Sequence, residues 1–279
     1  MSTIESAFLK NQKTSKEGDI FEEIDDISEV NDLSKSSVKE KNKNKPKSKP
    51  KTVKDSIARM KQSRSYTKEE CSQLGLISKD SKDQVLMNEY RNLRTKLLAE
   101  SESENFVTLV TSVSPDYDSS LVTANIASTF SLDEGKTSLY INTNARSDLA
   151  NEIFDIEPSY GLVDYIESDK LPIDDIIYET PISRLRYIPI GINHENSAEH
   201  FSDVRMKKTM ASIVKRYPER YIFVNAPSIS SSADTRILLD ICHKVILIVP
   251  YGIASEDSIR EAVLSIGKEK FAGILLEEF

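Results

Sequence analysis

The sequence predicts an α/β fold in which a doubly wound, mostly parallel sheet is covered by helices on both faces. Two features of residues 83–279 predict it. Short apolar runs of strand length alternate with amphipathic segments of helix length. The runs are apolar almost without interruption, which indicates strands that are buried on both sides, as in parallel sheets. Folds of this class bind their ligands at the carboxyl ends of the strands.

The elements follow one another in this order. A first helix is expected from residue 83, where Leu86, Tyr90, Leu93 and Leu97 recur at helical spacing. The strand candidates are the apolar runs at 106–111, 138–142, 184–190, 221–227, 244–250 and 272–277. Further helices are expected at 119–130, 206–217 and 255–267. The loops that form the predicted ligand crevice are therefore those at 112–120, 142–148 and 225–234.

Residues 1–82 are predicted to be a mostly disordered extension of the α/β domain at 83–279. Residues 17–32 contain eight carboxylates and no Lys or Arg, whereas the segment from Lys39 to Lys54 contains eight lysines and one glutamate. Such charged blocks bury too little apolar surface to offset the chain entropy lost on folding. The lysine block is either a solvated linker or a weak tether to anionic membranes. A short helix is expected near residues 3–10, either as a docking peptide or as a frayed end.

Composition excludes several other classes of protein. No apolar run reaches the roughly 18 residues that a membrane-spanning helix needs, and the N-terminus lacks the charged start and apolar stretch of a signal peptide. Cys71 and Cys242 are too far apart in sequence for a disulfide framework or a cysteine zinc site, so no metal is expected. The net charge of −8 and the lack of aromatic residues among the lysines argue against nucleic-acid binding. We expect a cytoplasmic protein.

The first crevice loop, TSVSPDYDSS at 111–120, occupies the position of a phosphate-binding loop. Such a loop needs glycines that let the backbone wrap a phosphate, a lysine for the terminal phosphates and a Ser or Thr for magnesium. Of these groups only Ser120 is present, followed by a helix whose N-terminus attracts anions. The tripeptide Gly135-Lys136-Thr137 resembles the end of such a loop, but it precedes a strand, and we interpret it as a turn.

The residues that flank the crevice loops carry a resemblance to a known family. Ser112, Pro115 and Ser120 match a first loop of the form S-x-x-P-G-x-G-K-S/T, and Arg146 ends a second motif that reads like L-I-D-x-D-x-R. Pro227 belongs to a third motif that reads like V-I-I-D-x-P-P. Over about residues 57–279 the chain thus resembles the cytoplasmic kinase domain of the bacterial tyrosine kinases (BY-kinases) of capsule and exopolysaccharide export. The resemblance implies a P-loop NTPase fold of the deviant-Walker group.

Two further segments extend the resemblance. The N-terminal S-x-I-E-x-A pattern and the stretch at 63–76 are similar to the exosortase-associated autokinase branch. In the family, an E-x-x-R-x-x-R pattern in the first helix supports ring oligomers. Arg91 and Arg94 match this pattern, whereas Asn88 replaces its acid. Arg91 and Arg94 are therefore candidates for a homo-oligomer or partner interface, or alternatively for a solvated helix face.

The resemblance also implies a nucleotide site that has lost its working groups. Asp116 and Asp118 replace glycines, Ser119 replaces the lysine, and asparagine replaces the aspartates of the second and third motifs. Carboxylates repel phosphate, and loss of the lysine removes the main charge compensation in phosphoryl transfer. The degenerate site implied in this way comprises Pro115, Asp116, Tyr117, Asp118, Ser119, Ser120, Asn142, Asn144, Arg146, Asn225 and Asp234.

These replacements predict a protein without catalytic residues and without a cofactor, acting as a scaffold or regulator in exopolysaccharide or capsule biosynthesis and export. The resemblance implies a membrane-embedded chain-length determinant (co-polymerase) as partner, which would recruit the chain to the inner face of the cytoplasmic membrane. The alternative is an active tyrosine autokinase that binds ATP and magnesium through a non-standard phosphate loop. The remaining loop residues then either form turns and satisfy strand ends, or line a repurposed crevice for a cation or an anionic sugar.

Overall fold

The computed structural model describes residues 57, 60, 62–79, 81, 83–99, 101, 105–133, 135–192 and 197–278. The expected short helix near residues 3–10, the acidic block at 17–32 and the lysine block at 39–54 lie outside the described residues. No helix within the described ranges is both long and apolar enough to cross a lipid bilayer.

Nine α-helices and seven strands make up the described part of the chain. The helices are α1 (Lys68–Gln73), α2 (Gln84–Ala99), α3 (Ser120–Ser131), α4 (Leu149–Phe154), α5 (Leu162–Glu167), α6 (Ser197–Ser202), α7 (Val204–Arg216), α8 (Ala233–Leu238) and α9 (Glu256–Ile266). The strands are β1 (Val107–Ser112), β2 (Thr137–Asn142), β3 (Tyr178–Glu179), β4 (Leu185–Ile188), β5 (Arg220–Asn225), β6 (Lys244–Pro250) and β7 (Phe271–Glu277).

The strands form a single seven-stranded sheet in the order β3-β4-β2-β5-β1-β6-β7. All neighbouring pairs are parallel except β3 and β4, which pair antiparallel at the edge. The strand order reverses around β1, so that the loops after β1, β2 and β5 meet at one end of the sheet. The predicted α/β class with a mostly parallel, doubly wound sheet is therefore confirmed.

The two faces of the sheet bury separate apolar clusters. Leu109, Ile141 and Val224 belong to the cluster on one face, which α5 to α9 help to cover. Val110 and Phe223 belong to the cluster on the other face, under α2, α3 and α4. Because both faces are covered, the central strands β1, β2 and β5 are buried along their whole length, as their uninterrupted apolar sequences predict.

Helix α3 lies between the sheet and α2, and every residue in it except Leu121 is buried. The hydroxyl groups of Ser128, Thr129 and Ser131 donate to carbonyl oxygens of the helix itself, for example Ser128 Oγ to Ala124 O at 2.6 Å. Such local bonds allow Ser and Thr to be buried without cost to neighbouring elements. Helix α3 can therefore bring its N-terminal turn directly against the carboxyl ends of the strands.

The folded part of the chain begins earlier than the boundary at residue 83 that the sequence predicts. Residues 62–79, which we call the N-terminal strap, pack on the domain and bury Cys71, Leu76 and Ile77 in its core. The strap is also held by directional bonds, since Ile77 N donates to Asn125 Oδ1 at 2.8 Å. The expectation of disorder up to residue 82 is thus wrong for the strap.

Candidate functional site

The candidate site is the crevice at the carboxyl ends of β1, β2 and β5. In the register of the sheet, Val110 of β1 and Asn142 of β2 both neighbour Asn225 of β5. The loop after β1 leads into the N-terminal turn of α3. Ser119 and Ser120 at this turn contact Asn225 at the end of β5. The three loops that the sequence selects for chemistry therefore do meet at one place.

Asn225 is the centre of the crevice and is completely buried. Its Oδ1 accepts a hydrogen bond from Ser119 Oγ at 2.7 Å and lies 3.2 Å from Thr123 Oγ1. Its Nδ2 donates to Ser120 Oγ at 3.0 Å and to Asn142 Oδ1 at 3.2 Å. The amide group of Asn225 thus uses both of its donor hydrogens and accepts from Ser119 inside the protein, while the Thr123 hydroxyl beside it donates to Ser119 O at 2.8 Å.

The second loop is ordered by the same kind of local bonding. Asn142 Oδ1 also accepts from Asn144 N at 3.1 Å, and Asn144 Oδ1 accepts from Arg146 N at 3.1 Å. The exposed side chain of Arg146 reaches Ser231 in the third loop, with Nη1 to Oγ at 3.4 Å. The two asparagines therefore form consecutive turns at the end of β2, in agreement with their structural interpretation from the sequence.

The first loop does not adopt the conformation that glycines permit. None of the residues from 112 to 120, all of which the structure describes, has a positive φ angle. Pro115 and Asp116 are exposed at the tip of the loop, and Tyr117 is partly buried. Asp118 Oδ1 accepts from Ser120 N at 2.9 Å, so that a carboxylate of the chain itself lies at the N-terminus of α3. The N-terminus of a helix favours negative charge, which a bound phosphate supplies in phosphate-binding loops. Here the Asp118 carboxylate occupies that position.

The open part of the crevice is acidic. It is a cavity of about 470 Å³ lined by Ser114, Asp116, Tyr117, Asp118 and Ile253. No three His, Cys, Asp or Glu side chains converge in a metal-binding arrangement anywhere in the described ranges. The carboxylates of Asp116 and Asp118 therefore give the mouth of the crevice a negative charge, which disfavours a polyphosphate.

Four polar residues near the crevice have roles that the sequence does not reveal. Thr143 Oγ1 donates to Asn225 O at 2.7 Å and fixes the end of β5 against the second loop. Tyr187 Oη donates to Asn151 Oδ1 at 2.7 Å. Burial raises the pKa of both Tyr140 and Tyr187. Thr123 recurs one helical turn after Ser119, which is the one signal in the sequence that could have identified it.

Three residues that the sequence predicts to be functional make no described hydrogen bond to the crevice residues. Asp234, in the first turn of α8, accepts from Ser197 Oγ of α6 at 2.5 Å. Arg94 of α2 donates through Nη1 to Thr129 O near the C-terminus of α3 at 2.9 Å, whereas Arg91 is exposed. Arg94 therefore links α2 to α3 within the chain, a role that its resemblance to an oligomer motif does not indicate.

Comparison with family models finds none that matches this chain. Among curated proteins, the chain is 24% identical over 189 residues to EpsB of Ralstonia nicotianae, whose name describes a candidate tyrosine-protein kinase. This match covers 67% of the chain but only 25% of EpsB, so the chain spans about a quarter of that relative. It is 25% identical over 193 residues to the tyrosine-protein kinase CpsD of Streptococcus agalactiae serotype III, covering 68% of the chain and 82% of CpsD.

Solved kinase domains have the same fold. The kinase domain of the Escherichia coli tyrosine kinase ETK superposes with a TM-score of 0.63 at 18% identity, covering 79% of this chain and 85% of that domain. The VpsO kinase domain superposes with a TM-score of 0.61 at 19% identity, covering 71% and 98%. The sheet is therefore that of a P-loop NTPase-type α/β fold, and the chain is a distant homologue of bacterial tyrosine kinases.

Proposed function

We propose that this chain is a catalytically degenerate relative of the bacterial tyrosine kinases and acts as a scaffold or regulator in exopolysaccharide or capsule biosynthesis and export. The observation that carries the proposal is the bonding of Asn225. Where the family motif has an acid, the chain has a buried amide whose two donor hydrogens bond Ser120 and Asn142 and whose oxygen accepts from Ser119. An amide bonded in this way to its neighbours has no donor left for a nucleotide.

The charges around the crevice support the same proposal. Phosphoryl transfer requires cations that neutralise the charge developing on the phosphate and a group that accepts the proton of the attacking hydroxyl. The first loop instead carries Asp116 and Asp118, and the position of the lysine is taken by Ser119, which is buried. The neutral Asn142 and Asn225 keep hydrogen-bonding oxygens but are neither strong bases nor strong magnesium ligands.

Asp118 supplies a second physical reason against nucleotide binding. Its carboxylate bonds the first backbone N–H of α3, which a phosphate-binding loop offers to its nucleotide. A phosphate would have to displace this carboxylate and then remain beside it. Two unit charges about 4 Å apart repel by about 4 kcal/mol at an effective dielectric constant of about 20, which corresponds to a loss of about three orders of magnitude in affinity.

Without a nucleotide switch, the domain keeps a surface on which other proteins can assemble. We propose that its partner is a membrane-embedded polysaccharide chain-length determinant, and that the chain is cytoplasmic and recruited to the inner face of the membrane. The exosortase-associated autokinase branch is the proposed subgroup. Residues 39–54 would add a weak membrane contact through their eight lysines, and Arg91 would contribute to an oligomer or partner interface.

Nucleotide binding tests the proposal directly. Mg-ATP and Mg-ADP are titrated into the purified full chain by calorimetry, and the melting temperature is followed in parallel, with an active CpsD-type kinase as positive control. We expect no heat of binding and no rise in melting temperature at millimolar nucleotide. Micromolar binding would overturn the proposal in favour of an active autokinase with a non-standard loop, and phosphotyrosine on the purified chain would then identify its reaction.

A further inference from the structure

Helix α7 differs in charge from the rest of this acidic chain. Its sequence, VRMKKTMASIVKR, contains five basic residues and no acidic residue, whereas the whole chain has a net charge of −8. The helix is also strongly amphipathic, because Met206, Thr209, Met210 and Ile213 face the core and are buried. A basic amphipathic helix on the surface of an acidic protein indicates a contact with a negatively charged partner.

The basic residues of α7 do not all face solvent in the same way. Arg205 Nη2 lies 3.1 Å from Asp169 Oδ1, and Arg216 Nη2 lies 3.1 Å from Asp174 Oδ1. Each of these arginines thus has a carboxylate partner at the side of the helix. Lys207 and Lys208 are exposed, and neither has an ion-pair partner within the part of the chain that the structure describes. The positive charge offered to a partner is therefore mainly that of lysines.

The exposed residues form one continuous face, which we call the lysine face of α7. Val204, Lys208 and Lys215 recur at intervals of four and seven residues, which places them in one row along the helix. Lys207 lies on the flank of this row, about one helical turn before the buried Met210. The side chain of Val204 is 61% exposed at the start of the row. Between the lysines the face carries only the small residues at 211 and 212, so it is nearly flat.

We propose that the lysine face of α7 docks on an anionic phospholipid surface. Its charge is complementary to phospholipid headgroups, and its flatness suits an extended surface rather than a pocket. Lysine interacts with anionic surfaces as a hydrated point charge, whereas specific recognition of nucleic-acid phosphates and bases favours arginine. The face contains no aromatic residue on which a base could stack. The exposed Val204 provides an apolar contact at the headgroup boundary.

This contact goes beyond the proposed function, because it assigns the membrane orientation of the folded domain itself. Together with a tether at 39–54, a second lipid contact on the same chain would bind with an avidity greater than that of either contact alone. The lysine face makes no use of the crevice, so it operates whether or not a nucleotide binds there.

Vesicle binding by the full chain tests the proposal. The chain is mixed without nucleotide with phosphatidylcholine vesicles that contain about one third phosphatidylserine, and bound protein is separated by flotation. Each lysine near such a surface contributes about fivefold to partitioning, so Lys207→Gln with Lys208→Gln is expected to lower it about 25-fold. The matched control is Lys79→Gln with Lys268→Gln, which removes the same charge from other exposed positions and is expected to change partitioning less than about twofold.

Three controls make the outcome decisive. The melting temperatures of both double variants should equal that of the unmodified chain, since all four lysines are exposed. Lys207→Arg with Lys208→Arg keeps the charge and should keep the partitioning. Equal losses in the Gln pair and its control, or no loss in either, would overturn the proposal. So would a loss of binding to a duplex DNA probe with vesicle binding unchanged, because the partner would then be a nucleic acid. None of these outcomes depends on nucleotide binding, so failure here leaves the proposed function standing.

Discussion

Restoring the acid of the family motif by Asn225→Asp is expected to destabilise the domain. The substitution places a carboxylate at a position with no exposed surface and removes the Nδ2 donor from Ser120 Oγ and Asn142 Oδ1. Asn142 can turn its amide to donate instead, but it then loses the bond from Asn144 N. An uncompensated buried charge costs about 3–5 kcal/mol, which for a domain of this size lowers the melting temperature by about 6–20 °C.

The loss should depend on pH with a definite sign. Burial raises the pKa of a carboxyl group, so the folded state of the variant binds its proton more tightly than the unfolded state does. Below about pH 4 the group is neutral in both states, and the variant should differ least from the unmodified chain. As the pH rises from about 4 to the folded-state pKa, stability should fall, and above that pKa it should level off. Urea unfolding at a series of pH values measures this profile.

Asn144→Asp is the matched control for this change. Asn144 lies in the neighbouring crevice loop after β2, and its Oδ1 accepts from Arg146 N, which a carboxylate can do equally well. We expect a loss below about 1 kcal/mol. The reasoning would be refuted if Asn225→Asp were as stable as the unmodified chain at pH 7. A recovery of stability on adding magnesium would refute it too, because the crevice would then be a working cation site.

The remaining predictions concern the packing of the domain. Arg94→Ala should cost about 1–2 kcal/mol in urea unfolding, since it leaves Thr129 O without its donor, whereas Arg91→Ala should leave stability unchanged. If these arginines also mediate assembly, Arg91→Ala should lower the mass in light scattering, and an unchanged mass would exclude Arg91 from an interface. Gly161 directly precedes α5, and a Cβ added there would lie 2.3 Å from Gly191 N. Gly161→Ala should therefore destabilise the domain by about 1–3 kcal/mol or more. Unchanged stability would show that the backbone around Gly161 and Gly191 can move apart without cost.

The sequence predicts the fold well where periodicity is strong. The apolar runs that become β1, β5 and β6 are buried on both sides and lie within one or two residues of the expected bounds. The N-terminal strap was not predicted to be folded, because it buries only three apolar side chains and lacks a long periodic pattern. Its signal was the capping box of Thr67 and Glu70, which starts α1. The edge strand β3 pairs antiparallel with β4. It has only two residues, which is too short for a recognisable alternation of apolar and polar side chains.

The position of the candidate site could be predicted from the sequence, but the hydrogen bonds between its side chains could not. Strand ends in a parallel sheet converge by topology, which is sufficient to select the loops of Ser119, Asn142 and Asn225. The hydrogen bonds of Asn225 to Ser119 and Asn142 join residues more than 80 positions apart in sequence. They form only if the side chains are placed to within a few tenths of an ångström. The partner of Asp234 on α6 depends in the same way on how two short helices pack. Motif spacing contains neither kind of information.

The backbone of the loop at 112–120 bears on the evolutionary history of the crevice. A loop without positive φ angles has no conformational requirement for glycine. Ser119→Lys alone would force a long charged side chain into a buried position and remove the donor to Asn225. Asp116→Gly alone would change an exposed residue without rebuilding the phosphate cradle. Under the proposed function, a return to nucleotide binding is closed to single substitutions, and descendants of this chain are expected to diverge freely in this loop.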